Sequence, residues 1–185
     1  MQLYLIRHPR PRVEPGVCYG RLDLDLAEPA QAAAARLAPR LPRGVPLWSS
    51  PARRCRELAE ALHPAPRLDE RLWEMHFGDW EGRRWEEIGP AALDAWAADP
   101  AGFVPPGGES GLQVQARALD FVAALARAGV AEVLVVAHAG VMRALLAHQR
   151  GLPGQRWLEL RFDYEEVLCL EMAEDFLACA RASLP

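Results

Sequence analysis

The chain is predicted to fold as an α/β domain around a mostly parallel sheet, and three observations carry that prediction. Three short apolar runs, residues 3–6, 45–48 and 133–136, have the length of strands and contain no charged residue. Helix-patterned segments follow them, set off by Gly, Pro and Ser punctuation. Beyond each run stands a group able to meet an anion: Arg7 and His8 after the first, Arg54 after the second, His138 after the third. In open α/β sheets the carboxyl ends of the strands line the crevice where ligands bind, so these residues fall on one rim.

The elements follow in order. Leu3-Tyr4-Leu5-Ile6 is the opening buried strand, and Pro9 ends it. Residues 9–26 read as an irregular loop, punctuated by Pro9, Pro11, Pro15, Gly16 and Gly20. Pro29 suits the first turn of an alanine-rich helix that runs to Leu37 and stops near Pro39. The second strand, residues 45–48, leads into Ser49-Ser50-Pro51, where Ser50 is expected to cap a helix over residues 52–62 with Arg54 in its first turn. Glu74 is placed in an extended or turn segment among bulky neighbours. Residues 83–98 read as helical with a break at Gly89-Pro90, and residues 99–108 as a Pro/Gly-rich loop. Residues 109–128 show one apolar helical face and end on the Ala128-Gly129 stop signal. Residues 132–137 are a strand of the fully apolar kind found inside parallel sheets, and Gly140 opens a helix over residues 141–148. Alternation in residues 157–172 suggests two more strands, a hairpin at the sheet edge.

Composition bounds the function. A chain of 185 residues fits one domain spanning residues 1–185, large enough to bury a core without staples. A net charge of −4 gives no footprint for nucleic acid, so a basic site has to be local. All 21 basic residues are Arg, which excludes lysine chemistry. The four cysteines, Cys18, Cys55, Cys169 and Cys179, form no C-x-x-C pair and read as reduced, mostly packed thiols rather than a zinc site or disulfide frame. No apolar run approaches a membrane span and no signal segment is evident, so no membrane partner and a cytoplasmic location are expected.

The rim residues suit phosphate. Arginine presents a planar fork of donors to phosphate oxygens, and a neutral imidazole carries a lone pair for attack on phosphorus. Alternatives stand beside each role: Arg54 could pair with Glu57 or Glu60 on its own helix, His138 could be a hydrogen-bonded core residue, and Glu74 competes with Glu70, Asp79 and Glu81. His63, His76 and His148 read as structural or solvated.

The motifs RHP at residues 7–9, SSPARR at 49–54, LWEMHFGDWEG at 72–82, PPGGES at 105–110 and VVAHAGVMRALL at 135–146 together resemble the histidine phosphatase, or phosphoglycerate-mutase-like, superfamily. The resemblance implies a three-layer α/β/α fold and phosphoryl transfer through a phosphohistidine. It makes His8 the nucleophile, Glu74 the proton donor, and Arg7, Arg54 and His138 the phosphate-binding residues, with no metal and no cofactor. The segments CYGRLD and FGDWEG and the short chain look most like the α-ribazole phosphatase branch, which points to α-ribazole 5′-phosphate and cobalamin biosynthesis. A phosphoglycerate mutase and a non-catalytic phosphate-binding module are the alternatives. Two departures from the family pattern stand out: Pro9 replaces a common glycine, and Glu14 stands where many members carry an asparagine. Arg10, Arg12 and Arg21 are the loop residues able to replace the missing donor. The small phosphorylated substrate is the one partner implied; oligomeric state is left open, with a homodimer as one option.

Overall fold

The computed structural model describes residues 1–172. Its elements are β1 (Gln2–Arg7), α1 (Ala30–Leu37), β2 (Leu47–Ser49), α2 (Arg53–Leu62), β3 (Arg67–Leu68), α3 (Trp85–Ile88), α4 (Pro90–Ala98), α5 (Gly111–Arg127), β4 (Glu132–Ala137), α6 (Ala139–Gln149) and β5 (Val167–Glu171). The sheet order is β3-β2-β4-β1-β5, parallel except for β5, which runs antiparallel along β1. This is the expected three-layer α/β/α arrangement with a mostly parallel sheet.

The apolar strands supply both outer layers by their two-residue alternation. Leu3, Leu5, Val133 and Val135 point into a core with α5 and α6, built on Val114, Ala118, Val122, Met142 and Leu145. Ile6, Leu47, Leu134 and Val136 point the other way, against Ala33 and Leu37 of α1 and Cys55 and Leu58 of α2. A strand covered on both faces has to be apolar throughout, which is why these runs carry no charge. Residue by residue, β1 and β4 are in register from Gln2 with Glu132 to Arg7 with Ala137. The two strands therefore end level.

Helix boundaries follow the sequence signals in most places. Gly89, at φ 95°, separates α3 from α4, and Ser110 caps α5 through a capping box with Gln113. Ser50 does not cap α2: that helix starts at Arg53 with no side-chain cap, and the Ser50 hydroxyl serves the site instead. The expected hairpin in residues 157–172 is half present. Gly154–Glu159 forms a 3-10 turn and only β5 is a strand. Before β5 the buried residues of this stretch are Trp157 and Phe162, which are five apart, so the apolar alternation at 158, 160 and 162 did not mark a sheet face. Cys18 and Cys55 are buried, with burial pushing both thiols up to about 12, whereas Cys169 is exposed; Cys179 lies outside the described residues. Among the described residues, no helix is long and apolar enough to cross a membrane.

Candidate active site

The level ends of β1, β2 and β4 bring the rim residues together. One residue past each strand, the backbone ladder continues: His8 N–H donates to the Ala137 carbonyl (3.0 Å) and Ser50 N–H to the Val136 carbonyl (2.9 Å). His8, Ser50 and His138 are thereby fixed side by side, with the two imidazole centroids 5.1 Å apart and both rings fully buried.

Arg54 stands at the centre. From the first turn of α2 it donates to the Gly20 carbonyl (2.7 Å), the Leu22 carbonyl (2.8 Å), His8 Nε2 (3.3 Å) and His138 Nδ1 (3.2 Å). It is wholly buried, and every one of these acceptors is neutral. The alternative in which Arg54 pairs with Glu57 or Glu60 is not realised, since Arg53 pairs with Glu57 and Arg56 with Glu60. Arg7 reaches the Phe162 carbonyl and lies 4.0 Å over the Tyr164 ring, while its buried Nε has no hydrogen-bond partner among the described residues. A buried cation without a counter-ion is costly, and an arriving anion recovers that cost.

The two guanidinium groups set the state of the histidines. Burial, then the Arg54 charge, holds the His8 imidazole well below its usual value, with Arg7 acting in the same direction. Burial and Arg54 do the same to His138, reinforced by His8. Both rings are therefore neutral near pH 7. Hydrogen bonds fix which nitrogen carries the proton. His8 Nδ1–H donates to the Pro9 carbonyl (2.7 Å), leaving a lone pair on Nε2. Arg54 can only donate, so His138 Nδ1 is the acceptor and its Nε2–H donates to Ser50 Oγ (2.8 Å).

Glu74 enters from the segment after the 3-10 turn Glu70–Leu72 and is almost fully buried. Its Oε1 accepts from Met75 N–H (2.9 Å) and its Oε2 from Gly140 N–H (3.3 Å) in the first turn of α6. The Gly140 amide serves Glu74, and the Arg53 amide of α2 serves Asp23 Oδ1 (2.8 Å), so these two amides are committed to carboxylates.

A half-buried ion cluster holds the Glu74 backbone. Arg21 Nε (3.3 Å) and Arg117 Nη2 (3.1 Å) both donate to the Glu74 carbonyl, and both guanidinium groups bind Glu109, which also accepts His76 N–H. Arg21 is therefore committed away from the phosphate position, and Arg12 lines a groove beside Asp25 and Glu57. Glu14 is turned out to the rim, largely exposed and paired with Arg84, so it does not oppose an anion at His8. His63 accepts the Ala65 amide and His76 lies near Glu81, both away from the rim.

The structure thus brings Arg7, His8, Arg54, Glu74 and His138 to one rim. Sequence reasoning missed Tyr164, whose ring is 5.7 Å from His8, and the part played by Tyr19, 6.4 Å away, whose hydroxyl lies 3.3 Å from that of Tyr164. Tyr19 had a signal in the polar content of its loop; Tyr164 had none, because it reaches the site from an irregular turn. Among the described residues no group of three or more His, Cys, Asp or Glu could hold a metal ion.

Comparison with known proteins agrees with this geometry. The model of the histidine phosphatase superfamily (branch 1) matches residues 3–184. A glucosyl-3-phosphoglycerate phosphatase of Mycolicibacterium vanbaalenii is 37% identical over 177 residues, covering 84% of this chain and 77% of its own length. The adenosylcobalamin/α-ribazole phosphatase of Escherichia coli is 30% identical over 123 residues, covering 59% of this chain and 61% of its own. Among solved structures, the native mycobacterial glucosyl-3-phosphoglycerate phosphatase superimposes with a TM-score of 0.80 at 33% identity, covering 91% of this chain and 88% of that one. Bacillus stearothermophilus YhfR gives a TM-score of 0.83 at 31% identity, covering 94% and 92%.

Proposed function

The chain belongs to the histidine phosphatase superfamily and is a phosphatase of small phosphorylated metabolites, and from that premise we propose that it cleaves phosphomonoesters through a phosphohistidine on His8. One observation carries the proposal: the unprotonated Nε2 of a neutral, buried His8 accepts from Arg54, and neither Arg54 nor Arg7, whose charge also acts on this ring, has a carboxylate partner among the described residues. His8 Nε2 attacks phosphorus, forming the P–N bond as the ester P–O bond breaks. Arg7 and Arg54 stabilise the charge developing on the equatorial oxygens, and His138 offers a further contact. Glu74 gives its proton to the leaving alkoxide. It then takes one from the water that cleaves the P–N bond and releases inorganic phosphate.

For the leaving group, glucosyl-3-phosphoglycerate ranks ahead of α-ribazole 5′-phosphate, because the glucosyl-3-phosphoglycerate phosphatase relative aligns over more of this chain. Brief incubation with substrate followed by an alkaline quench is expected to leave an acid-labile, base-stable phosphoryl group that maps to His8. Undiminished turnover in His8→Ala would falsify the mechanism. A turnover panel containing both esters, with 3-phosphoglycerate tested for isomerisation against phosphate release, ranks the substrates and separates phosphatase from mutase.

A further inference from the structure

Beside the phosphate position lies a small cavity of about 160 Å³ whose walls include Arg10, Val17, Tyr19 and Tyr164. The Tyr164 ring joins it to the site: Arg7 lies 4.0 Å over that ring, Arg10 lies 5.8 Å from its centroid, and the His8 imidazole is 5.7 Å away. Arg10 therefore stands one aromatic ring away from the guanidinium assigned to phosphate.

Charge balance sets Arg10 apart from most of the loop arginines around the site. Arg21 binds Glu109, Arg53 binds Asp25 and Glu57, and Arg84 binds Glu14, whereas Arg12 lines a separate groove with Asp25 and Glu57. Arg10 is exposed and pairs with no carboxylate among the described residues. Glu14, in the wall of this cavity, is held by Arg84, and Glu165, next to Tyr164, is held by Arg36. Burial keeps the Tyr19 hydroxyl protonated, so the Tyr19–Tyr164 pair is a neutral hydroxyl edge, able to donate to or accept from a substrate hydroxyl. A second anion, a few bonds from the phosphorus, meets an unopposed guanidinium there.

We propose that Arg10, with the Tyr19–Tyr164 edge, forms a leaving-group subsite that selects phosphomonoesters carrying a carboxylate close to the phosphate. This rests on the phosphatase reading above and deepens it. Bulk charge cannot explain such selection, because the molecule is net negative and Arg21, Arg53 and Arg84 are paired with carboxylates.

The test compares 3-phosphoglycerate with glycerol 3-phosphate, which share a three-carbon chain and differ by carboxylate against hydroxymethyl. The full chain is expected to favour 3-phosphoglycerate in kcat/KM, and Arg10→Gln to lower that preference about tenfold, the scale of one charge-assisted contact. Arg10→Lys should restore part of it. An unchanged ratio in Arg10→Gln, or no preference in the wild type, overturns the subsite. Calorimetric binding of the same two esters reads the preference without turnover. A carboxylate preference in binding with no phosphohistidine formed would retain the subsite and remove the phosphatase mechanism. Phosphohistidine formation with no preference would do the reverse.

Discussion

A methyl group added at Gly140 would fall 2.1 Å from Glu74 Oε1 and 3.1 Å from its carboxyl carbon. The obstructing atoms are the end of a side chain rather than backbone, so the protein can yield by swinging the carboxylate away, and the fold survives. What is lost is position: the Oε2 contact with Gly140 N–H goes, and the carboxylate leaves the place proposed for protonating the leaving oxygen. Gly140→Ala is therefore expected to lower kcat by about a hundredfold, the low end of general acid–base contributions. The thermal midpoint should move little, since alanine is the better helix residue. Turnover near the wild-type level in Gly140→Ala would remove the role given to Glu74. Substrate binding separates the two contributions, because Arg7 and Arg54 are untouched by this change.

Between elements, Glu109 is the joint. It sits just before α5 and ties together Arg117 on that helix, Arg21 in the long loop and the His76 amide, and the two arginines then hold the Glu74 carbonyl. Burial acts to raise its carboxyl, but the Arg117 hydrogen bonds and charge outweigh burial and hold it below the usual carboxylate range. Glu109→Gln leaves two guanidinium groups without their acid, and breaking such a half-buried network costs about 2 kcal/mol, between an exposed pair and a fully buried one. That loss should appear as a lower urea midpoint, together with a drop in kcat larger than any rise in KM. An unshifted midpoint would show that the cluster is dispensable. The sequence exposed some of this architecture and concealed the rest for physical reasons. Gly89-Pro90 announced the break between α3 and α4 because that punctuation is local chemistry, and the apolar runs announced β1 and β4 because strands buried on both faces tolerate nothing else. Ser50 misled because its hydroxyl meets His138, 88 positions away, and a local rule assigns it to the nearest helix. Tyr164 and the 3-10 turn at Gly154–Glu159 were invisible because packing, not periodicity, places them.

Taken over the whole molecule, the site makes stability depend on pH in a direction opposite to that of a histidine paired with an acid. His8 and His138 are held neutral by burial and by the Arg54 charge, so each has a folded-state pKa below its unfolded value of about 6.5. Above that value both the folded and unfolded chains carry neutral rings, and the full stability is present. As pH falls below about 6.5 the unfolded chain takes up protons first, and stability declines until the folded-state values are reached. Each histidine contributes a limiting slope of about 1.4 kcal/mol per pH unit in this window. His148, also lowered by burial, acts in the same direction, and Glu109 adds a second decline below about 4.5, where its unfolded carboxyl protonates first. Urea midpoints measured from pH 5 to pH 8 should therefore be level above pH 7 and fall below pH 6.5, with a shallower fall in His138→Gln. Because that slope comes from charge repulsion by Arg54 as well as from burial, inorganic phosphate at saturating concentration should lessen it by neutralising the guanidinium. A midpoint that stays constant down to pH 5 in the phosphate-free protein would mean that these imidazoles are not the uncharged, buried groups on which attack at phosphorus depends.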